Sequence, residues 1–366
     1  MRPNRSLKLV LLVGMGLLLA CSTLAPPETE APVTEVTLEV VTEAPTQEIV
    51  TVEATVEIVT KAPTEAASPS GESPTSEALA SQVDIERVMA DLRWLADDER
   101  RGRLTGSPEE NEVGDWLEAR FVELGLEPFE AAGLDGYVQA FDVDSGDGSG
   151  ENLIAVLPGS APSGRYVMVG AHYDHIGVTS SGKVYNGADD NAAGVAVMLE
   201  TARLLAAAGE RPQETVVFVA FSAEEAGLVG SAAFCKQLLG QQLTEDSILL
   251  NLEVLGAKKG AGTVLDVWDQ KVSKTAALVA AVEAAGEQQG FPTQRTGRDP
   301  GSDALQMLMC NVPAISVSMA WSFENHPGYH DVSDDVELID VDGLESAARV
   351  IVSATWMLAN GEVSGE

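Results

Sequence analysis

Residues 166–194, YVMVGAHYDHIGVTSSGKVYNGADDNAAG, constrain the chain more than any other stretch. An apolar, β-branched run from Tyr166 to Gly170 ends in His172-Tyr173-Asp174. A polar loop follows, and Asp189-Asp190-Asn191 stands just ahead of an Ala/Val/Leu-rich helical pattern. A strand leading into a ligand-bearing loop and then a helix N-terminus is how an α/β enzyme presents polar groups at the carboxyl edge of its sheet. The four histidines, His172, His175, His326 and His330, all fall in two short clusters, one of them here. That clustering points to a metal site whose other ligands come from downstream.

The same grammar recurs along the chain. Apolar residues at 85, 88, 89, 92 and 95 predict an amphipathic helix over Ile85 to Ala96. Ser107-Pro108-Glu109-Glu110 reads as a capping box opening a second helix that runs to Leu124 and stops at Gly125. Tyr137 to Val143 and Asn152 to Leu157 read as strands, with Asp144 to Gly150 as the turn between them. Helices are then expected at 191–208, Gly227 to Leu239, 273–289, from Asp303, and Val341 to Leu358. Strands are expected at Thr215 to Phe221, Ile248 to Leu255 and Ala314 to Ser318, with an edge strand at Thr263 to Val267. This alternation implies a single α/β domain over 83–366, built on a mixed, mostly parallel central sheet with helices on both faces.

Carboxylates sit where the apolar runs end. Phe218 to Phe221 leads into Ser222-Ala223-Glu224-Glu225, and the following strand ends Asn251-Leu252-Glu253. Adjacent glutamates cannot comfortably serve one atom, so one is expected on a metal and the other beside the substrate or an attacking water. A glutamate-rich helix N-terminus accounts for one of the pair through the helix dipole. Asn325-His326-Pro327-Gly328-Tyr329-His330-Asp331 is a loop, because Pro-Gly interrupts helix and strand alike. Successive strand ends thus supply His, Asp, Glu, Glu and His, the imidazole and carboxylate ligands of catalytic zinc. With one carboxylate shared, that inventory serves two zinc ions about 3.5–4 Å apart.

The order HxD, GADDN-A-x-G, AEE-x-GL-x-GS, NL-E and YH resembles the co-catalytic zinc aminopeptidases. These are the bacterial leucyl aminopeptidase group, whose superfamily also holds glutamate carboxypeptidase and the transferrin receptor. The likeness covers nearly all of residues 85 to 360 and extends to Arg101-Gly102-Arg103, Gly106-Ser107, and Gly301-Ser302-Asp303 ahead of Val312-Pro313-Ala314. It implies that His172 is a ligand of one zinc and that Asp174 orients His172. Asp190, four residues before Gly194, falls on the bridging position, with Asp189 as its neighbour. Glu224 falls on the general base, Glu225 on a zinc ligand, and His330 on a ligand of the other zinc. Glu253 departs from the aspartate usual at that place, and its extra methylene is expected to reach a zinc with altered geometry or weaker affinity at that metal. His175, His326 and Ser302 are expected to support ligands or line the substrate pocket, Asp303 to cap a helix with a supporting hydrogen bond, and Tyr329 to line the pocket or fill core. The implied activity is hydrolysis of N-terminal residues from peptides. Glutaminyl cyclisation with a single zinc, or a binding lipoprotein on a peptidase fold, are the alternatives.

Two features lie outside this frame. Arg2, Arg5 and Lys8 followed by the apolar run Leu9 to Leu19 form an export signal over residues 1–20, too short to span a membrane stably. Its end, Leu18-Leu19-Ala20-Cys21, resembles a bacterial lipobox, so Cys21 is the expected lipidation site and the cell envelope the expected location; an ordinary cleaved signal or an uncleaved anchor is the alternative. Residues 21–82, rich in Thr, Pro and Glu and without an aromatic residue, read as an extended, solvated tether. Most of the net charge of −35 lies beyond it, which excludes a nucleic acid held through phosphates and suits cationic small molecules, or a solubilising surface. Cys235 and Cys310 are compatible with one disulfide or with two buried thiols.

Overall fold

The computed structural model describes residues 74–143, 148–269, 273–297 and 301–363. The expected export signal, the expected lipidation site Cys21 and nearly all of the expected tether lie outside the described residues. The tether's expected end is revised. Thr75 accepts a hydrogen bond from Ala78 N to open helix α1 (Ser76–Ala80), and Leu79 and Ala80 are buried in the main core. Residues expected to be solvated therefore belong to the folded unit, because a single apolar turn is enough to dock once a helix surface is there to receive it.

Helix α2 (Ile85–Leu95) starts at Asp84, whose carboxylate accepts from Arg87 N, and buries Val88, Met89, Leu92 and Leu95 on one face. Helix α3 (Pro108–Glu123) is capped by Ser107, which accepts from Glu110 N at 3.1 Å. The expected reciprocal half of the box is altered. Glu110 is buried and takes the amide of Gly106 and the hydroxyl of Ser222 instead, tying the helix start to the site described below. Strands β1 (Val138–Val143) and β2 (Gly148–Leu157) pair antiparallel, so residues 148–150, expected in the turn, lie in the ladder.

The chain continues through β3 (Tyr166–His172), α4 (Ala193–Ala206), β4 (Thr215–Phe221), α5 (Val229–Gly240), β5 (Ser247–Leu252) and β6 (Leu265–Trp268). It closes with α6 (Ala276–Gln289), β7 (Thr293–Thr296), α7 (Asp303–Met309), β8 (Ala314–Met319) and α8 (Val341–Asn360). The sheet order is β1-β2-β4-β3-β5-β8-β6-β7, with the four central strands β4, β3, β5 and β8 parallel. One expectation fails here. The Thr263 to Val267 segment is no edge strand: β6 lies between β8 and β7, and the short polar strand β7, invisible to apolar periodicity, takes the edge.

Alternation along the strands explains the layers. Val167, Val169 and Ala171 of β3 and Val216, Phe218 and Ala220 of β4 face the core formed with α1, α2, α4, α6 and α8. Met168, Val217, Val219 and Phe221 face the other core, with Phe234 and Leu238 of α5 and Met307 of α7. Both faces are apolar because both are covered, and each fully buried side chain of this size contributes about 1.5–3 kcal/mol. Cys235 and Cys310 form a disulfide that joins α5 to the end of α7. Among the described residues no helix is long and apolar enough to cross a membrane. From β3 the chain moves to β4 on one side, then returns to β5 on the other. This reversal opens a crevice at the carboxyl ends of β3 and β5, where open α/β sheets bind ligands.

Candidate metal centre

Every expected ligand reaches that crevice. His172 is the last residue of β3, and Glu253 follows the last residue of β5, since the strand ends at Leu252 rather than at Leu255. Asp190 lies in a wide turn, Ala188–Ala192, that delays the regular helix to Ala193. There Asp190 and Asn191 have non-helical backbone angles, and Asn191 donates to Leu252 O at 2.8 Å, pinning this turn to the end of β5. Gly187 precedes the turn with φ +58, and a Cβ there would stand 2.3 Å from Asp190 O and 2.6 Å from the His175 ring. Left-handed backbone at Ala223, Val254 and His330 turns the chain at each of the other contributing loops. For a β-branched residue such as Val254 this conformation is strained, and such strain concentrates where side chains must be aimed.

The two oxygens of Asp190 face two groups of donors. Oδ1 is 3.2 Å from His172 Nε2, which is 3.2 Å from Glu253 Oε1. Oδ2 is 3.3 Å from His330 Nε2, which is 3.1 Å from Glu225 Oε2. Around a tetrahedral ion with bonds of about 2.0–2.1 Å, neighbouring ligand atoms stand about 3.3–3.4 Å apart. The donor spacing is that of ligands round an ion, and Asp190 Oδ2 is buried yet accepts no hydrogen bond. Imidazole and carboxylate are zinc's ligands, so the residues fit the metal that the strand-end pattern implies.

The supporting residues divide the remaining tasks. His175 is fully buried, with Nδ1 2.8 Å from Glu225 Oε1 and 3.9 Å from Asp190 Oδ2; it holds one oxygen of Glu225 so that the other faces His330. His175, Asp190 and Glu225 also lie close enough together to share an ion. Asp174 does more than orient His172. Its carboxylate is 3.7 Å from His172 Nδ1, which is 3.2 Å from the Asp174 carbonyl oxygen, and it accepts from Glu224 N (3.0 Å), Glu225 N (3.3 Å) and Thr105 Oγ1 (3.0 Å). It therefore anchors the Glu224-Glu225 turn to the end of β3. Asp189 points away from the ligand group. It accepts from Gly256 N at 2.7 Å and pairs with the buried His326, whose ring spans from Asp189 to Met319 O.

Three outcomes were not legible. Asp334 accepts from Asp189 N (2.9 Å) and Asp190 N (3.0 Å), holding the metal-site turn by its backbone. Arg103, fully buried, donates to Tyr173 O (2.7 Å), Leu95 O (2.8 Å), Asn186 O (2.6 Å) and Gly187 O (3.0 Å). Asp303 is not the cap that its position implies. Ser302 caps α7, accepting from Ala304 N, while both carboxylate oxygens of Asp303 are buried without a hydrogen-bond partner. Tyr329 lines a cavity beside Glu253 and stacks on His330, with ring centroids 4.1 Å apart.

Burial dominates the titration of the acids. It pushes Glu224 up to about 10, helped by Glu253 and Asp303 and opposed by His172; it pushes Glu110 to about 8 and Asp303 to about 7. The adjacent Asp190 and Glu225 carboxylates raise His330 to about 10, while for Glu225 the neighbouring His175 and His330 overrule burial and bring it to about 2. Without metal, the folded chain thus keeps protons on Glu224, Glu110, Asp303 and His330 that the unfolded chain releases as pH rises. Glu225 acts in the opposite sense, below its ordinary 4.5. Stability falls with pH wherever the folded state binds more protons. The chelated protein is expected to melt highest near about pH 5 and progressively lower toward about pH 9; thermal melts in EDTA showing the reverse slope would contradict this assignment. A metal held by His330 would have to displace its proton, so metal affinity is expected to rise with pH toward about 10.

Known proteins share this arrangement of strands and helices. The family model for Peptidase family M28 matches residues 152–355. Aminopeptidase YwaD of Bacillus subtilis (strain 168) is 26% identical over 213 residues, covering 56% of this chain and 44% of YwaD. The chain spans about half the length of the curated relatives it matches. Among solved structures, BSAP, a zinc aminopeptidase from Bacillus subtilis, superposes with a TM-score of 0.64 at 16% identity, covering 80% of this chain and 98% of that one. Porphyromonas gingivalis glutaminyl cyclase gives 0.60 at 21% identity, covering 74% and 97%. At these identities the structural likeness is one of fold. The family match runs from β2 into α8 and so takes in every strand end that contributes to the metal centre: the chain belongs to peptidase family M28.

Proposed function

We propose that this protein is a zinc-dependent aminopeptidase that releases N-terminal residues from peptides at a two-metal centre. The observation that carries the reading is Asp190, whose two oxygens each face a separate imidazole and carboxylate. His172, Asp190 and Glu253 would hold one zinc, and Asp190, Glu225 and His330 the other. Zinc held there would polarise the scissile carbonyl and acidify an attacking water. Glu224 takes the proton from that water and returns it to the leaving amine. Asp174 fixes the turn that carries Glu224, and Asp189, Asp334 and His326 fix the turn that carries Asp190. The acidic surroundings attract the protonated α-amine of a peptide, which directs cleavage to its end.

Glutaminyl cyclisation is the second reading, favoured by folds such as the Porphyromonas cyclase. The experiment is elemental analysis of the purified protein together with assays on aminoacyl-p-nitroanilides and on peptides beginning with glutamine. Two zinc ions per chain, p-nitroaniline release and its loss on chelation are expected. One zinc and ammonia release without p-nitroaniline would replace the aminopeptidase with a cyclase.

A further inference from the structure

Beside the metal centre lies a cavity of about 40 Å³, bounded by Glu253 and Tyr329 on the metal side. A single water needs about 10–15 Å³ on this scale, so the space takes about three to four water-sized groups, the length of an unbranched side chain beyond its Cβ. Trp268, Trp321 and Tyr329 are half-buried and form its sides, whereas Ser302, Ser316 and Ser318 are buried and therefore lie deep. Among the described residues, Glu253 carries the only charge in the lining.

The deep hydroxyls are not equivalent. Ser302 and Ser316 bond each other at 2.7 Å, Ser316 also accepts from Asn251 Nδ2 at 3.3 Å, and Ser302 caps α7. Ser318 accepts from the Trp268 indole N–H at 2.8 Å, and among the described contacts its own O–H meets no acceptor. A buried donor without a partner carries a penalty that a ligand's acceptor atom removes.

Resting on the aminopeptidase reading, we propose that this cavity receives the side chain of the substrate's N-terminal residue and selects a neutral, unbranched side chain tipped by a hydrogen-bond acceptor, glutamine foremost. The small volume excludes aromatic rings. Glu253 repels an acidic side chain, and among the described lining residues no carboxylate lies deep enough to pair with a lysine tip. Indole and phenol faces pack the methylenes of an unbranched chain, and the Ser318 proton meets the amide oxygen at its end. A site that hydrogen-bonds a substrate group discriminates against the analogue lacking it more sharply than an apolar pocket discriminates by shape.

The test compares kcat/KM of the zinc-loaded full chain on the p-nitroanilides of glutamine, norleucine, phenylalanine, glutamate and lysine. Norleucine is the unbranched side chain without an acceptor. Glutamine is expected to exceed norleucine roughly tenfold, about 1.4 kcal/mol, with the other three below both. In Ser318→Ala the glutamine-to-norleucine ratio should fall to about one. Norleucine matching glutamine, phenylalanine ranking first, or an unchanged ratio in Ser318→Ala overturns the proposal. If that variant does not fold, the wild-type ranking decides alone. Turnover in another order fails only this assignment of the cavity, whereas no turnover of any of the five fails the aminopeptidase reading and this inference with it.

Discussion

Replacing Glu224 by glutamine is expected to lower kcat about a thousandfold, within the range of a lost general base, while zinc content stays at the wild-type level. Glu224 is the one carboxylate of the strand-end group absent from the ion pairs round Asp190, and its backbone N–H is held by Asp174 at 3.0 Å. Glu225, its neighbour, is engaged by both His175 and His330. On the proposed reading the two side chains therefore divide between proton transfer and metal. Burial keeps Glu224 protonated to about 10 in the metal-free protein; nearby divalent charge pulls such a group down toward the range where it exchanges protons at neutral pH. Glutamine keeps the size of the side chain and removes the basic oxygen. Kinetics and elemental analysis of the same preparation check this. Zinc lost with the substitution would make Glu224 a ligand, and unchanged kcat would remove it from the reaction.

The second large effect is expected at Arg103. Its guanidinium joins Tyr173 O, between His172 and Asp174, to Asn186 O and Gly187 O, immediately ahead of the turn that carries Asp190. One side chain thus sets the spacing between the His172 strand end and the Asp190 turn. It is also a buried cation among Asp334, Asp174, Asp190 and Glu225, although burial still brings its pKa down to about 10. Arg103→Met fills the volume but strands four carbonyl oxygens. A cost of about 3–5 kcal/mol is expected, as for other broken buried networks, which lowers Tm by roughly 10 °C. Zinc affinity should fall about 10–100-fold, as when residues that orient ligands are removed. Arg103→Lys should recover part of the stability but not the affinity, because an ammonium cannot reproduce the planar fork. A Tm within about 2 °C of wild type with unchanged zinc affinity by chelator competition would remove Arg103 from the site.

The cavity and the brace show what kind of information each level carries. Apolar runs at period two, a capping serine, and carboxylates or histidines at the end of each run are local signals. They were enough to place His172, Asp190, Glu224, Glu225, Glu253 and His330 on one sheet edge. The family resemblance, counted back four residues from Gly194, implied Asp190 rather than Asp189, and the structure turns Asp189 away to Gly256 N and His326. These readings succeed because burial and strand pleat act over a few neighbouring residues.

Other features depend on partners distant in the chain, and no window of sequence contains them. Arg103 is read as one basic residue in Arg101-Gly102-Arg103 until the fold surrounds it with carbonyl oxygens from residues 173, 186 and 187. Asp334 acts across 144 or 145 positions. The interior place of β6 depends on the polar strand β7 closing the edge, and Asp303 lost its expected capping role because Ser302 already met the free amide. By itself the sequence determined the α/β class, the order of strand ends and the chemistry they carry. Tertiary structure alone decided which oxygen faces which imidazole, what braces the turns and how deep the neighbouring cavity runs, because those are set by long-range hydrogen bonds and close packing rather than by periodicity.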